Sequence, residues 1–371
     1  MQDPDIAGMQ ATVIAATFAV CVMLGALMQR SNFCTMGAIA DIVNMGDWTR
    51  MRMWLGAIGV AIAGTQTLAW AGLIDTGKSF YTAPTLTWLS HLVGGLMFGF
   101  GMVLASGCGS KTVLRIGGGS LKSLVVFLVM GLFAYMTMRG VFGVFRAGVL
   151  DKAALDLSHG QDLPRLLAGG DAAALPGLRL GLGLGLGAAL LAFALAGRDF
   201  RRGEPIIGAL GAGLAVVAVW AISGMLGYVA EAPDTLEEKF LGTNSGRLES
   251  LSFVAPVAYT LELVMLWSDR SRVLTLGIVA VLGLFAGSLL HALLSRQFRW
   301  EGFHGTEDTA NHLVGGALMG VGGVTALGCT VGQGLSGIST LAVGSMLTLA
   351  AIMAGGWAGL KYQMWRVERM P

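Results

Sequence analysis

Long apolar runs recur from one end of the chain to the other, at 9–29, 52–73, 88–106, 120–150, 176–197, 205–228, 251–268, 273–294, 312–328 and 339–362. A helix needs about 20 mainly apolar residues to cross a hydrocarbon layer of roughly 30 Å, so each run is a candidate span. The run 120–150 is interrupted by Arg139-Gly140, which predicts a kinked helix or a span followed by a surface piece. Residues 33–46 predict a shorter amphipathic helix. The Gly-Leu alternation of 180–186 lies inside an apolar run and reads as a close-packing helix.

The polar connections set an orientation. Short loops carry Arg50 and Arg52, then Arg198, Arg201 and Arg202, then Arg270 and Arg272, and Lys361, Arg366 and Arg369 close the chain. Asp3 and Asp5 open it, and the longer stretches 151–171 and 229–250 lean acidic. Lys and Arg in short loops mark the cytoplasmic side, which puts the N-terminus outside and the C-terminus inside. That requires an odd number of crossings, so the ten candidates reduce to about nine transmembrane helices.

Composition agrees: of 371 residues 54% are hydrophobic and only 12% charged, against roughly 25% in soluble domains. A net charge of +2, held in short clusters, gives no expectation of nucleic acid. The acidic start MQDPDIAG predicts no cleavable signal peptide. Cys21, Cys34, Cys108 and Cys329 lie far apart with no CxxC pair, which argues against a zinc site; neither metal nor cofactor is expected, and a disulfide stays open.

An internal repeat is the strongest signal. HLVGGLMFGFGMVLASGC (91–108) aligns without a gap on HLVGGALMGVGGVTALGC (312–329), offset by 221 with 11 of 18 positions identical. Gly-rich polar stretches follow both copies, GSKTVLRIGGGS (109–120) and TVGQGLSGIS (330–339), and a weaker echo pairs 25–33 with 287–298. Paired halves interrupted at matching places point to the substrate path of a transporter or channel. Non-helical backbone at membrane depth must be buried in protein or line a watered cavity. A helix starting at such a break offers free N–H groups that favour an anion. Lys111, Arg115 and Lys122 add positive charge near the first break, with anchoring at the membrane face as the competing reading.

Cys21, in FAVCVMLG, reads as a small buried hydrophobe. Cys34, Cys108 and Cys329 stand at the ends of apolar segments among small and hydrogen-bonding residues, two of them at the same repeat position. A polarizable thiol suits contact with a soft, sulfur-bearing solute. His91 and His312 head the repeat copies and read as structural, and His291 and His304 as incidental. Asp41 and Glu262 are the carboxylates within candidate spans, with pairing to an arginine as the plain reading of Glu262.

SNFCTMGAIADI and the two repeat motifs together resemble the YeeE/YedE family of sulfur transporters over nearly the whole chain. The resemblance implies an all-α, hourglass-like polytopic membrane protein of two pseudo-symmetric inverted halves with re-entrant segments. The halves fall at about 9–150 and 205–371, with 151–204 connecting them. It implies a bacterial inner-membrane, multi-pass permease for thiosulfate or a related sulfur anion, not an enzyme, with lipid around it. By motif the path residues are Cys34, Cys108 and Cys329, flanked by Gly107, Gly109, Gly328, Thr330 and Lys111. A TusA-like sulfur carrier on the cytoplasmic side is an implied partner, expected as a separate chain because no such domain follows Pro371. The competing readings are a membrane sulfurtransferase carrying a persulfide on cysteine, a selenium-compound transporter, and an aquaporin-like pore, which lacks its paired NPA loops.

Overall fold

A computed structural model describes residues 6–232, 236–269 and 271–369; Asp3, Asp5, Arg270 and Pro371 lie outside the described residues. Its helices are α1 (Ile6–Arg30), α2 (Thr35–Met45), α3 (Thr49–Trp70), α4 (Trp88–Leu104), α5 (Gly109–Gly117), α6 (Leu121–Arg139) and α7 (Val141–Phe145). They continue as α8 (Leu163–Ala168), α9 (Leu175–Leu195), α10 (Glu204–Ala221), α11 (Ala255–Met265), α12 (Leu276–Leu294), α13 (Thr306–Thr325) and α14 (Val343–Glu368). Two short antiparallel pairs brace the loops: β1 (Thr85–Leu86) with β2 (Leu155–Asp156), and β3 (Tyr228–Val229) with β4 (Lys239–Phe240). The protein is an all-α polytopic membrane protein. Among the described residues eight helical stretches are long and apolar enough to cross a membrane, with α4–α5 acting as one.

The runs that fall short do so for visible reasons. The stretch 251–268 holds only the 11-residue α11, about 16 Å long. The run 120–150 is a span, α6, that stops at Gly140 and continues as a short piece whose Val141, Val144 and Phe145 are exposed. α13 has an acidic first turn, Glu307 and Asp308, yet packs lengthwise against α4 and α6. With α13, 20 residues long, nine helical stretches among the described residues have spanning length. The predicted helix at 33–46 is α2, capped at its C-terminus by Gly46 in the left-handed region.

α4 and α13 carry the two repeat copies and pack antiparallel. A Cβ on Gly94 would lie 2.6 Å from Ala326 N, and one on Gly315 would lie 2.6 Å from Ala105 N. A Cβ on Gly101 would meet Gly315 O at 2.8 Å, and one on Gly322 would meet Gly94 O at 2.6 Å. Gly94 and Gly315 are equivalent positions of the repeat, as are Gly101 and Gly322. Each contact therefore occurs twice with the roles exchanged, the pattern of a two-fold interface. Small residues are what allow such backbone approach in a membrane. The flanking helices follow suit, α14 lying on α4 and α6 on α13.

The weaker echo behaves differently. Its copies lie on α1 and α12, which run side by side in the same direction: Gly25 faces Leu284 and Ser288, while Gly287 faces Val22 and Ala26. They are not related as α4 is to α13. The segment matching the Cys34 turn precedes α11, where Phe253-Val254-Ala255 parallels Phe33-Cys34-Thr35 and an 11-residue helix follows in both places.

The two ends of the bundle differ in charge. At one, Arg30 pairs with Glu204, Arg52 donates to Phe193 O at 2.8 Å, and Arg366 pairs with Glu307 at 2.7 Å. The other gathers the loops 71–87, 151–174 and 227–254, tied by Lys78 to Glu238 and by Ser90 to Asp151 at 2.6 Å. Arg272 belongs to this second end, beside Thr243 and Asn244 where α12 begins. It therefore leaves the cluster in which sequence had grouped it with Arg50 and Arg52.

Candidate functional site

α1, α4 and α13 end alike. Asn32, Ser106 and Leu327 have left-handed φ of 50°, 58° and 57°, a conformation costing non-glycine residues roughly 1–2 kcal/mol each. The next N–H, of Phe33, Gly107 and Gly328, bonds back to Met28, Met102 and Gly323 carbonyls at 3.1, 2.8 and 2.8 Å. This is the 6→1 bond of a Schellman ending. It turns the chain so that the following residue, a cysteine each time, begins a new helical segment.

Cys34 caps α2, its Sγ accepting the Gly37 N–H at 3.4 Å. Cys108 stands at the N-cap position of α5 without a capping bond from its side chain, its Sγ 3.3 Å from Ser110 Oγ. Cys329 precedes a π-helical turn, Gly332–Gly337, and its Sγ accepts the Gly332 N–H at 3.4 Å. All three are free thiols, 5%, 2% and 0% exposed. They are close enough in space to feel one another, Cys34 beside Cys108 and Cys108 beside Cys329. Cys21 is free and buried too, but sits mid-helix on α1 against Gly283.

The cations near the first break divide. Arg115 donates to Ser106 O at 3.0 Å and so braces the α4 ending. Lys122 pairs with Glu301 at 2.6 Å, an anchor between α6 and the loop before α13. Of the three, Lys111 is the one whose charge reaches both Cys34 and Cys108. Arg50 joins it: Asp41 grips this guanidinium at 2.5 and 2.9 Å, and its Nη1 crowds Gly37 in the first turn of α2. Glu262 makes the corresponding pair at the other end, with Arg272 at 3.1 Å and the Tyr135 hydroxyl at 3.2 Å. Both intramembrane carboxylates thus hold an arginine.

The glycines and Thr330 fall at the same turns. Gly107 and Gly328 supply the Schellman N–H groups, and Gly109 starts α5 against Phe253 O. Thr330 is fully buried with an unpartnered hydroxyl. Residues 330–338 are buried throughout, as are Gly109, Ser110 and Thr112 of α5, the shielding that backbone breaks inside a bilayer require. His91 ties α4 to α14 through Nδ1, to Thr348 Oγ1 at 2.7 Å, while His312 Nδ1 bonds within α13, to Asp308 O at 2.8 Å.

Cavities approach the thiols from both ends. One of about 520 Å³ is lined by Ser31, Asn32, Thr49 and Arg50 beside the Cys34 turn. Another of about 270 Å³ reaches the Cys329 turn at Leu327 and Gly328. Arg50 and Ser252, which line them, carried no distinctive sequence signal; the Phe33/Phe253 match is the one trace that ties 252–254 to the site.

A polytopic bundle with buried thiols at helix starts, strung between cavities at opposite ends, defines a membrane transport protein. The chain belongs to the sulphur transport family, whose profile matches residues 30–358 and so includes all three turns. It is similar to the thiosulfate transporter TsuA of Escherichia coli strain K12, 27% identical across 90% of each chain. It is also similar to the thiosulfate transporter TsuA of Spirochaeta thermophila, 25% identical over 90% of this chain and 94% of that one.

Proposed function

We propose that this protein is a permease carrying thiosulfate, or a closely related sulfur oxoanion, across a bacterial inner membrane past Cys329, Cys108 and Cys34. The observation that carries the reading is the threefold recurrence of a buried thiol at a helix start. A thiol offers a weak S–H donor and a polarizable sulfur to the terminal sulfur of the ion, and the helix N-terminus offers N–H groups to its charge. Several moderate contacts suit conduction better than one tight site, since the ion must also leave. Lys111 and Arg50 supply full positive charge beside Cys34, and Gly107, Gly109, Gly328 and Thr330 line the same turns. The names of the two relatives support thiosulfate as the ion.

The halves 9–150 and 205–371 are read as inverted copies meeting at α4 and α13, with 151–204 connecting them and contributing α9 against α3. The basic end, where α14 terminates, is the cytoplasmic one, with the N-terminus outside. A separate TusA-like carrier would receive sulfur there. No covalent step is needed: the charged side chains acting on Cys34 are cations, not a general base. The test is sulfur-limited growth on thiosulfate in a bacterium lacking its own thiosulfate permeases. The chain should restore growth, and protein recovered from thiosulfate medium should carry no added sulfur on Cys34, Cys108 or Cys329. A persulfide on any of them, with sulfite released, would establish the sulfurtransferase reading instead.

A further inference from the structure

Among the differences between the two repeat copies beside their cysteines is one that exchanges a cation for a glycine. Lys111 of the first copy corresponds, at the offset of 221, to Gly332 of the second. Space that a side chain would take at Gly332 is filled from outside the repeat: a Cβ there would lie 2.7 Å from Ser252 Oγ and 3.3 Å from Tyr81 Oη. Gly332 is also the residue whose N–H points at Cys329 Sγ. Two hydroxyls therefore converge on the Cys329 turn where the other turn has an ammonium.

Tyr81 is 4% exposed and its hydroxyl has no hydrogen-bond partner. Leaving a buried hydroxyl unpaired is costly, so this one calls for a partner beyond the protein's own groups. The ring is fixed rather than loosely placed. It lies on a short 3₁₀ turn, Phe80–Thr82, packed on Phe80 at 4.0 Å and edge-on to Trp220 at 6.3 Å. Cys329 and Tyr81 lie within electrostatic reach of each other. Ser252 is not sealed in; it lines the cavity that reaches Leu327 and Gly328. That cavity's carboxylate, Glu249, accepts the Ser245 N–H at 2.9 Å, and its cation, Arg146, pairs with Asp151 at 3.2 Å.

We infer that Tyr81 and Ser252 form a neutral subsite at Cys329 that binds the oxygen end of a sulfur oxoanion while the thiol contacts its terminal sulfur. The subsite rests on the permease reading. Hydroxyls bind an oxyanion less tightly than an ammonium does, and charge-assisted hydrogen bonds are roughly twice as strong as neutral ones. The ion thus meets weak donors at Cys329 and strong ones near Cys34, so the order of sites along the path is graded. Replacing Tyr81 by Phe keeps the packed ring and removes only the unpaired hydroxyl, so a purely structural role and a binding role predict opposite results.

The experiment uses the full chain in lipid nanodiscs and proteoliposomes, with thiosulfate as the probe. Tyr81→Phe and Ser252→Ala should each raise the Kd and the uptake KM for thiosulfate at least fivefold. Their maximal rates should stay within about twofold of wild type, and the Tm of ligand-free Tyr81→Phe should be no lower. Kd and KM within twofold of wild type for both variants would overturn the subsite, as would a lowered Tm with unchanged affinity. Failure of the wild type itself to bind thiosulfate would instead count against the permease reading.

Discussion

Asn32, Ser106 and Leu327 spend backbone strain two residues ahead of a thiol, and Cys21 has no such neighbour. That contrast gives the sharpest residue-level prediction. Cys21→Ala removes one buried sulfur from an α1–α12 contact that already tolerates only small groups, costing about 1 kcal/mol. Its uptake should stay within twofold of wild type, whereas Cys108→Ala and Cys329→Ala should lose at least tenfold at matched protein level. Equal losses in all three would remove the distinction. A second prediction concerns Gly37, where any side chain collides with the Arg50 guanidinium held by Asp41. Gly37→Ala should displace Arg50 and cut thiosulfate uptake severalfold with Cys34 still present. Wild-type uptake in that variant would show that the guanidinium does not serve the path.

Between elements, the α4–α13 seam and the α9 glycines make opposite predictions for the same substitution. Gly315→Ala places a Cβ 2.6 Å from Ala105 N, while Gly181 and Gly185 have open space around them. The first should lower Tm sharply or prevent assembly. The second and third should raise stability by roughly 0.5–1 kcal/mol each, the helix-interior cost of glycine. Thermal unfolding in detergent compares them directly. The loop before α13 adds a pH dependence, because the hydrogen bond from Lys122 holds the Glu301 carboxyl below its usual range. A lowered folded-state pKa contributes stability that is present above the unfolded value, about 4.3, and is lost as pH falls through the folded one. Wild type should therefore be more stable than Glu301→Gln at pH 7, and the gap should close in acid. A gap that widens below pH 4 would assign the stabilisation elsewhere.

Across the whole molecule, much was legible because membrane spans write their length in apolar runs and the repeat kept His, Val and Cys in register. The helix at 33–46, the break at Arg139-Gly140 and the shared turns of Cys108 and Cys329 all followed from that. What escaped was chemistry supplied by loops. Tyr81 sits in a polar connection with no periodicity, and nothing in sequence says that the loop dips into the bundle. The echo at 287–298 misled because parallel neighbours α1 and α12 need the same small residues that inverted mates do. Arg272 misled because a short loop can lie at either end, and only the bond from the Leu276 N–H to Gly242 O at the start of α12 fixes which. Fusion reporters at Arg30 and Gly72 should find the Arg30 end cytoplasmic and the Gly72 end outside; the reverse would invert the proposed orientation. The most direct test of the account is uptake of radiolabelled thiosulfate into proteoliposomes containing this chain alone. Wild type and Cys21→Ala should accumulate label well above empty vesicles, and Cys108→Ala should not. Accumulation by Cys108→Ala equal to wild type would contradict a path built on the three thiols.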